Sequence, residues 1–118
     1  MREEDEILLI EDDEDKASVI KSILRKHLSG QIRHFEDGEA ALAYLLSEES
    51  NAVRLILLDV ILPKVDGVEI LRTIKSHPLK SQIPVIILTS SSRTEEYIES
   101  LGLHPDGYVH KPNLRNCA

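Results

Sequence analysis

Tryptophan is absent from the 118 residues, phenylalanine occurs once, and cysteine occurs once, at Cys117. A single thiol excludes an intrachain disulfide and any thiolate-rich metal centre, and it fits a reducing, cytoplasmic setting. No histidine stands near Cys117 in sequence to activate it, so it reads as an inert thiol. Long apolar runs are missing too: stretches such as Leu55 to Leu58 are far too short to span a bilayer. The start, Met1-Arg2-Glu3-Glu4-Asp5, is charged where a signal peptide turns apolar. Neither secretion nor a membrane location is expected. Basic residues are outnumbered, 14 against 21 acidic, for a net charge of −7. Phosphate backbones need clustered Lys and Arg, so nucleic acid is not expected as a partner, whereas a protein or a cation is.

What is present is an apolar fraction of 42%, supplied mainly by Ile, Leu and Val. The length suits one domain with one core, spanning residues 1–118 without a separate output domain. Short apolar runs alternate with longer amphipathic ones, the signature of βαβ units. Strands are expected at Ile7 to Ile10, Ile32 to Phe35, Leu55 to Leu58, Val85 to Leu88 and Tyr108-Val109. Three of these are unbroken aliphatic runs, which points to burial on both faces of a parallel sheet.

Helical spacing joins Ala17, Ile20, Leu24 and Leu28, with a stop at Ser29-Gly30. A second helix is expected from Glu39 to Glu48 after the Asp37-Gly38 turn. A third carries Val68, Leu71 and Ile74 and ends before His77-Pro78, because proline disfavours a helical residue ahead of it. A fourth places Tyr97, Ile98 and Leu101 on one stripe after Thr94-Glu95. Right-handed crossovers leave few arrangements of five such units, and a common one is the doubly wound sheet ordered 2-1-3-4-5, whose ligands bind beyond the carboxyl ends of the strands.

Those ends carry Glu11-Asp12-Asp13, Asp59, Thr89-Ser90 and Lys111-Pro112. Carboxylates within about 4 Å repel by a few kcal/mol at intermediate dielectric, so such a cluster either holds protons or binds a cation. An all-oxygen, partly hydrated set suits Mg²⁺. Helix capping alone accounts for Asp13 and Asp15. It does not account for Asp59, which follows four aliphatic residues and does not start a helix. A carboxylate beside Mg²⁺ attacks phosphorus in line, provided the phosphoryl oxygens are neutralised, a task open to Lys111 and Thr89.

Four segments resemble response-regulator receiver domains of two-component systems: Ile7 to Asp13, Leu55 to Gly67, Pro84 to Thr89, and Tyr108-Val109-His110-Lys111-Pro112. The resemblance covers nearly the whole chain. It implies a flavodoxin-like fold and a phosphoacceptor that is not an enzyme in the usual sense, though it assists its own phosphorylation and dephosphorylation. Asp59 looks like the acceptor, Asp12 like the direct Mg²⁺ ligand, and Glu11 like a ligand through water. Ile61 would lend the metal its backbone carbonyl. Thr89 resembles the switch hydroxyl, Tyr108 the aromatic that follows it inward, and Lys111 the phosphate-binding lysine, with a cis bond to Pro112. The implied donor is a sensor histidine kinase, and finer likeness points to the single-domain receivers that serve bacterial phytochromes. The downstream protein is not written in the sequence. A phosphorylation-independent interaction module with the same fold is the alternative.

One departure stands out. Only seven residues follow Lys111, where a receiver has a full fifth helix, so that helix is expected to be absent or reduced. Apolar residues on one sheet face would then lack a cover, and a homodimer shielding the strand 4 and strand 5 region is expected. The five histidines, 27, 34, 77, 104 and 110, form no ligand-spaced pair and read as structural or solvated.

Overall fold

The computed structural model describes residues 2–60, 66–89 and 92–110, with Ser92 by its backbone alone. Five strands and four helices alternate: β1 (Glu6–Ile10), α1 (Glu14–His27), β2 (Gln31–Phe35), α2 (Gly38–Leu45), β3 (Val53–Asp59), α3 (Gly67–Ser76), β4 (Val85–Thr89), α4 (Ser92–Ser100) and β5 (Gly107–His110). All pairings are parallel, and the order is β2-β1-β3-β4-β5, the flavodoxin-like arrangement. Among the described residues no helix is long and apolar enough to cross a membrane. The expectation of an absent or reduced fifth helix falls on residues 111–118, which lie outside the described residues.

The aliphatic runs explain the layering. Side chains alternate across a strand, so each run feeds two cores. Leu8, Ile10, Ile56, Leu58, Val85 and Ile87 face α2, α3 and α4, meeting Ala41, Leu45, Leu71, Ile74 and Ile98. Ile7, Leu9, Leu57 and Leu88 face the other way, against Ala17 and Ile20 of α1. Each fully buried Ile or Leu contributes about 1.5–3 kcal/mol. The edge strand β2 is half-exposed and is held by polar ties: Arg33 pairs with Glu6 at 3.3 Å and lies 4.6 Å from the ring centre of Tyr44 in α2, whose hydroxyl also bonds Glu6.

Several helix ends differ from the sequence expectation. The first helix closes at His27, with extended Leu28 as its C-cap, so Ser29-Gly30 leads into β2 and does not cap. The second stops at Leu45, because the Ser50 hydroxyl takes the Leu45 carbonyl at 2.8 Å and Glu48–Ala52 forms a separate 3₁₀ turn. The fourth starts at Ser92, earlier than Thr94. On it Ile98 alone of the predicted stripe is buried, while Tyr97 is 55% and Leu101 39% exposed. Residues 97 and 101 share one stripe, and it faces solvent because the nine-residue helix touches the sheet through Ile98.

On the α1 side an apolar groove of about 230 Å³ runs between α1 and the last strands, lined by Ile20, Ile23, Leu24, Leu57, Leu88, Val109 and His110. The groove lies on the sheet face where the sequence reading expects a missing cover, and residues 111–118, on which that expectation turns, lie outside the described residues.

The start of β4 is clamped by Asp106, which accepts from the Val85 N–H and from Lys75 Nζ of α3, both at 2.8 Å. Burial pushes the Asp106 carboxyl up, but the Lys75 hydrogen bond, the Val85 N–H and the Lys75 charge outweigh it and hold the group below its ordinary value. A depressed carboxyl stabilises the fold above the unfolded-state pKa, and that contribution is lost as pH falls through the lower folded value. Asp106→Asn keeps an acceptor for Val85 but loses the charge. Its side chain is 45% exposed, so solvent screening limits the expected loss to about 1 kcal/mol or less at neutral pH. Urea titrations at several pH values should show that deficit closing as pH falls through the lowered Asp106 titration.

Candidate functional site

The register brings the strand-end carboxylates together. Ile10 pairs with Leu58, so Glu11 and Asp59, each the next residue along its strand, stand side by side at the carboxyl edge. Asp59 pairs with Leu88, which sets Thr89 at the same edge one strand over, and Thr89 in turn pairs with His110 of β5. Glu11, Asp59 and Thr89 are all buried, while Asp12 is exposed.

Local chemistry fixes the two loops that carry these groups. Asp13 turns the chain into α1 as its N-cap, accepting from Asp15 N at 2.9 Å and Lys16 N at 3.1 Å. Glu11 and Asp12 are thereby held between the end of the β1 ladder and that cap. After β3, Asp66 caps α3 by accepting from Val68 N at 2.9 Å, and Gly67 N–H bonds the Val60 carbonyl at 3.0 Å. Gly67 lies directly against the backbone that follows Asp59: a Cβ there would stand 2.5 Å from Val60 Cα and 2.6 Å from the Asp59 and Val60 carbonyl oxygens. Only glycine permits that approach.

Glu11, Asp12 and Asp59 each offer a carboxylate oxygen, and these atoms lie within 4.8 Å of one another. Oxygens bound to one octahedral Mg²⁺ stand about 3 to 4 Å apart, so the set accommodates direct ligands together with one that acts through water. An all-oxygen donor set with no sulfur or imidazole suits a hard cation. The residues therefore fit the ion that the sequence implied.

Of the predicted site residues, the structure gathers Glu11, Asp12, Asp59 and Thr89 at one edge of the sheet. Ile61, Lys111 and Pro112, and with them the cis bond, lie outside the described residues. Tyr108 in β5 pairs with Ile87 and is half-buried against the core on the α2–α4 side. Its hydroxyl is buried and has no hydrogen-bond partner among the described residues. Burial, then the charges of Glu99 and Glu95 on α4, push that phenol up from its ordinary pKa.

Two contacts near the site escaped the sequence reading. Gly67 was seen only as part of a motif, although a glycine directly after a capping Asp was the available signal. The sequence reading of His34 as structural or solvated agrees with a structural contact whose partner it does not identify. The His34 Nε2–H donates to the Glu11 carbonyl at 2.7 Å, a contact that no spacing in sequence reveals.

Comparison with known proteins agrees with this geometry. Residues 7–116 match the family model of the response regulator receiver domain. The response regulator Rcp1 of Synechocystis sp. is 37% identical over 116 residues, covering 93% of this chain and 79% of that protein. A crystal structure of its Mn²⁺-bound form superposes with a TM-score of 0.82 at 36% identity, covering 95% of this chain and 85% of that one. The bacteriophytochrome response regulator AtBRR gives a TM-score of 0.84 at 34% identity, again covering 95% and 85%. The phosphorylated cyanobacterial phytochrome response regulator RcpA gives 0.78 at 35% identity, covering 92% and 81%. By sequence motif, sheet order and the matched family model alike, the chain belongs to the response regulator receiver domains.

Proposed function

We propose that this receiver accepts a phosphoryl group on Asp59 from the phosphohistidine of a sensor histidine kinase, of the phytochrome type, and thereby switches a protein-interaction surface. The observation that carries this is the convergence of the Glu11, Asp12 and Asp59 carboxylate oxygens within 4.8 Å at the strand ends, with Thr89 closing the neighbouring strand. The Mn²⁺-bound Rcp1 and the phosphorylated RcpA, as relatives, support the same reading.

A carboxylate oxygen of Asp59 attacks phosphorus in line while the kinase imidazole leaves, so the chain acts as phosphoacceptor and assistant to its own reaction, without a separate substrate to turn over. Asp12 and Asp59 as direct ligands, with Glu11 through water, would hold Mg²⁺, which would supply positive charge to neutralise the phosphoryl oxygens. By the resemblance to the family, the Ile61 backbone carbonyl would join that set. The Thr89 hydroxyl donates to one phosphoryl oxygen and the Lys111 ammonium pairs with another. Capture of the phosphoryl group draws Thr89 toward Asp59, and Tyr108, already packed inward with a buried hydroxyl, fills the space behind it.

The test is beryllofluoride with Mg²⁺, a phosphoryl mimic. Wild type should respond with a raised melting temperature and shifted Tyr108 ring signals, and Asp59→Ala should not. A wild type that ignores the mimic would favour the phosphorylation-independent interaction module.

The apolar groove, where Ile23 is 47% and Val109 50% exposed among the described residues, supports a homodimer across the β4 and β5 region. A monodisperse monomer by light scattering at high concentration would contradict it.

A further inference from the structure

The β1–β2 ladder runs in register from Glu6 and Gln31 to Ile10 and Phe35, and the Glu11 N–H continues it to the Phe35 carbonyl at 3.0 Å. Beyond that point β2 ends, and Asp37 turns the chain into α2 by capping the Ala40 N–H at 2.8 Å. The Glu11 carbonyl is met at this place by a side chain. His34, half-buried on β2, donates its Nε2–H to that oxygen at 2.7 Å. Because a carbonyl only accepts, the contact also fixes the tautomer, with the proton on Nε2.

We infer that His34 is a positioning residue for the acidic loop: by holding the Glu11 carbonyl it sets the direction in which the Glu11 and Asp12 side chains leave β1, and so the affinity of the site for Mg²⁺. This rests on the reading of Glu11, Asp12 and Asp59 as a cation site. Glu11 is then gripped at both backbone polar groups, the N–H by Phe35 and the C=O by His34, and the following cap at Asp13 leaves Asp12 alone between two anchors. Three like charges oppose convergence in the absence of a cation. A loop freed at one anchor relaxes by separating them, and each binding event then includes the cost of bringing them back. His34 touches neither metal nor phosphoryl group.

The experiment is calorimetric titration of the full 118-residue chain with MgCl₂, alongside thermal melts in EDTA. His34→Leu keeps apolar volume and removes the donor. His34→Gln places an amide N–H near the position of Nε2. Loss of a partner bonded to a metal ligand weakens metal binding by about 10- to 100-fold; His34 holds the Glu11 backbone carbonyl and not a carboxylate oxygen, so His34→Leu should bind Mg²⁺ about 10-fold more weakly, the low end of that range, and His34→Gln should recover most of that loss. A merely structural role would lower the melting temperature of His34→Leu and leave the affinity unchanged, which would overturn the inference. Equal loss in Leu and Gln would overturn it as well, since the N–H would then not be the active feature. Should His34→Leu not fold, His34→Asn, too short to reach the carbonyl, supplies the same arm. If wild type binds no Mg²⁺ the site reading itself fails, and the inference with it. If wild type binds, Asp12→Ala does not, and both His34 variants match wild type, the inference alone fails.

Discussion

Asp12→Ala is expected to weaken Mg²⁺ binding by about a hundredfold or more, a larger loss than outer contacts give, while leaving the metal-free protein as stable as wild type or slightly more so. The two effects have one cause. Asp12 is exposed, so its removal leaves no cavity. It also belongs to a trio of carboxylates whose oxygens lie within 4.8 Å, and without a cation that trio is repulsive. Removing one member relieves the folded state and, if the proposed site holds, takes away a direct ligand. Ligand linkage makes this easy to read: saturating Mg²⁺ stabilises wild type in proportion to RT ln(1 + [L]/Kd), and the increment should vanish in the variant. Melting curves in EDTA and in MgCl₂ supply both numbers. A variant that loses stability in EDTA, yet still gains from Mg²⁺, would show that Asp12 is a capping or surface group and not a ligand.

Gly67→Ala is expected to be the most damaging of the small substitutions, at about 3 kcal/mol. The new methyl group would sit 2.5 to 2.6 Å from three backbone atoms of Asp59 and Val60, none of which can rotate aside. Relief requires moving the start of α3 away from the end of β3, and that shift displaces Asp59. Stability and Mg²⁺ affinity should therefore fall together, with the melting temperature lower by roughly 10 °C. Gly102→Ala is the natural comparison. Gly102 has φ 76° at the end of α4 with open space around it, so alanine there meets backbone strain of about 1 kcal/mol and leaves the site untouched. If both variants lost stability equally and both kept wild-type Mg²⁺ binding, the close approach at Gly67 would not be positioning Asp59.

The sheet was legible because Ile7 to Ile10, Leu55 to Leu58 and Val85 to Leu88 have no polar residue to give one of their faces to water. The structure buries all four residues of the first run at 0% exposure, and in the other two runs every residue except the partly buried Leu55 and Ile86. The site was legible for a related reason. A carboxylate directly after such a run stands at the strand end, and strand order then decides which ends are neighbours. Helix ends were harder. Gly30 resembled a cap, but whether a helix stops there depends on where its last turn meets the sheet, and α1 stops at His27. The Tyr97–Leu101 stripe had the right spacing for a core face, yet periodicity reports amphipathicity and not which side touches the sheet. His34 was illegible in principle. Its partner is a backbone carbonyl on another strand, so neither residue type nor spacing in sequence marks it, and only the β1–β2 register puts the two together.

The proposed function turns on Asp59 as the phosphoryl acceptor. Intact-mass spectrometry after incubation with acetyl phosphate, with Mg²⁺ and with EDTA, tests that directly. Wild type should gain the mass of one phosphoryl group only when Mg²⁺ is present, and the group should be lost on treatment with hydroxylamine, as an acyl phosphate is. Asp59→Ala should gain nothing. A phosphoryl group that still appears on Asp59→Ala, or none on a folded, Mg²⁺-bound wild type, would contradict the account.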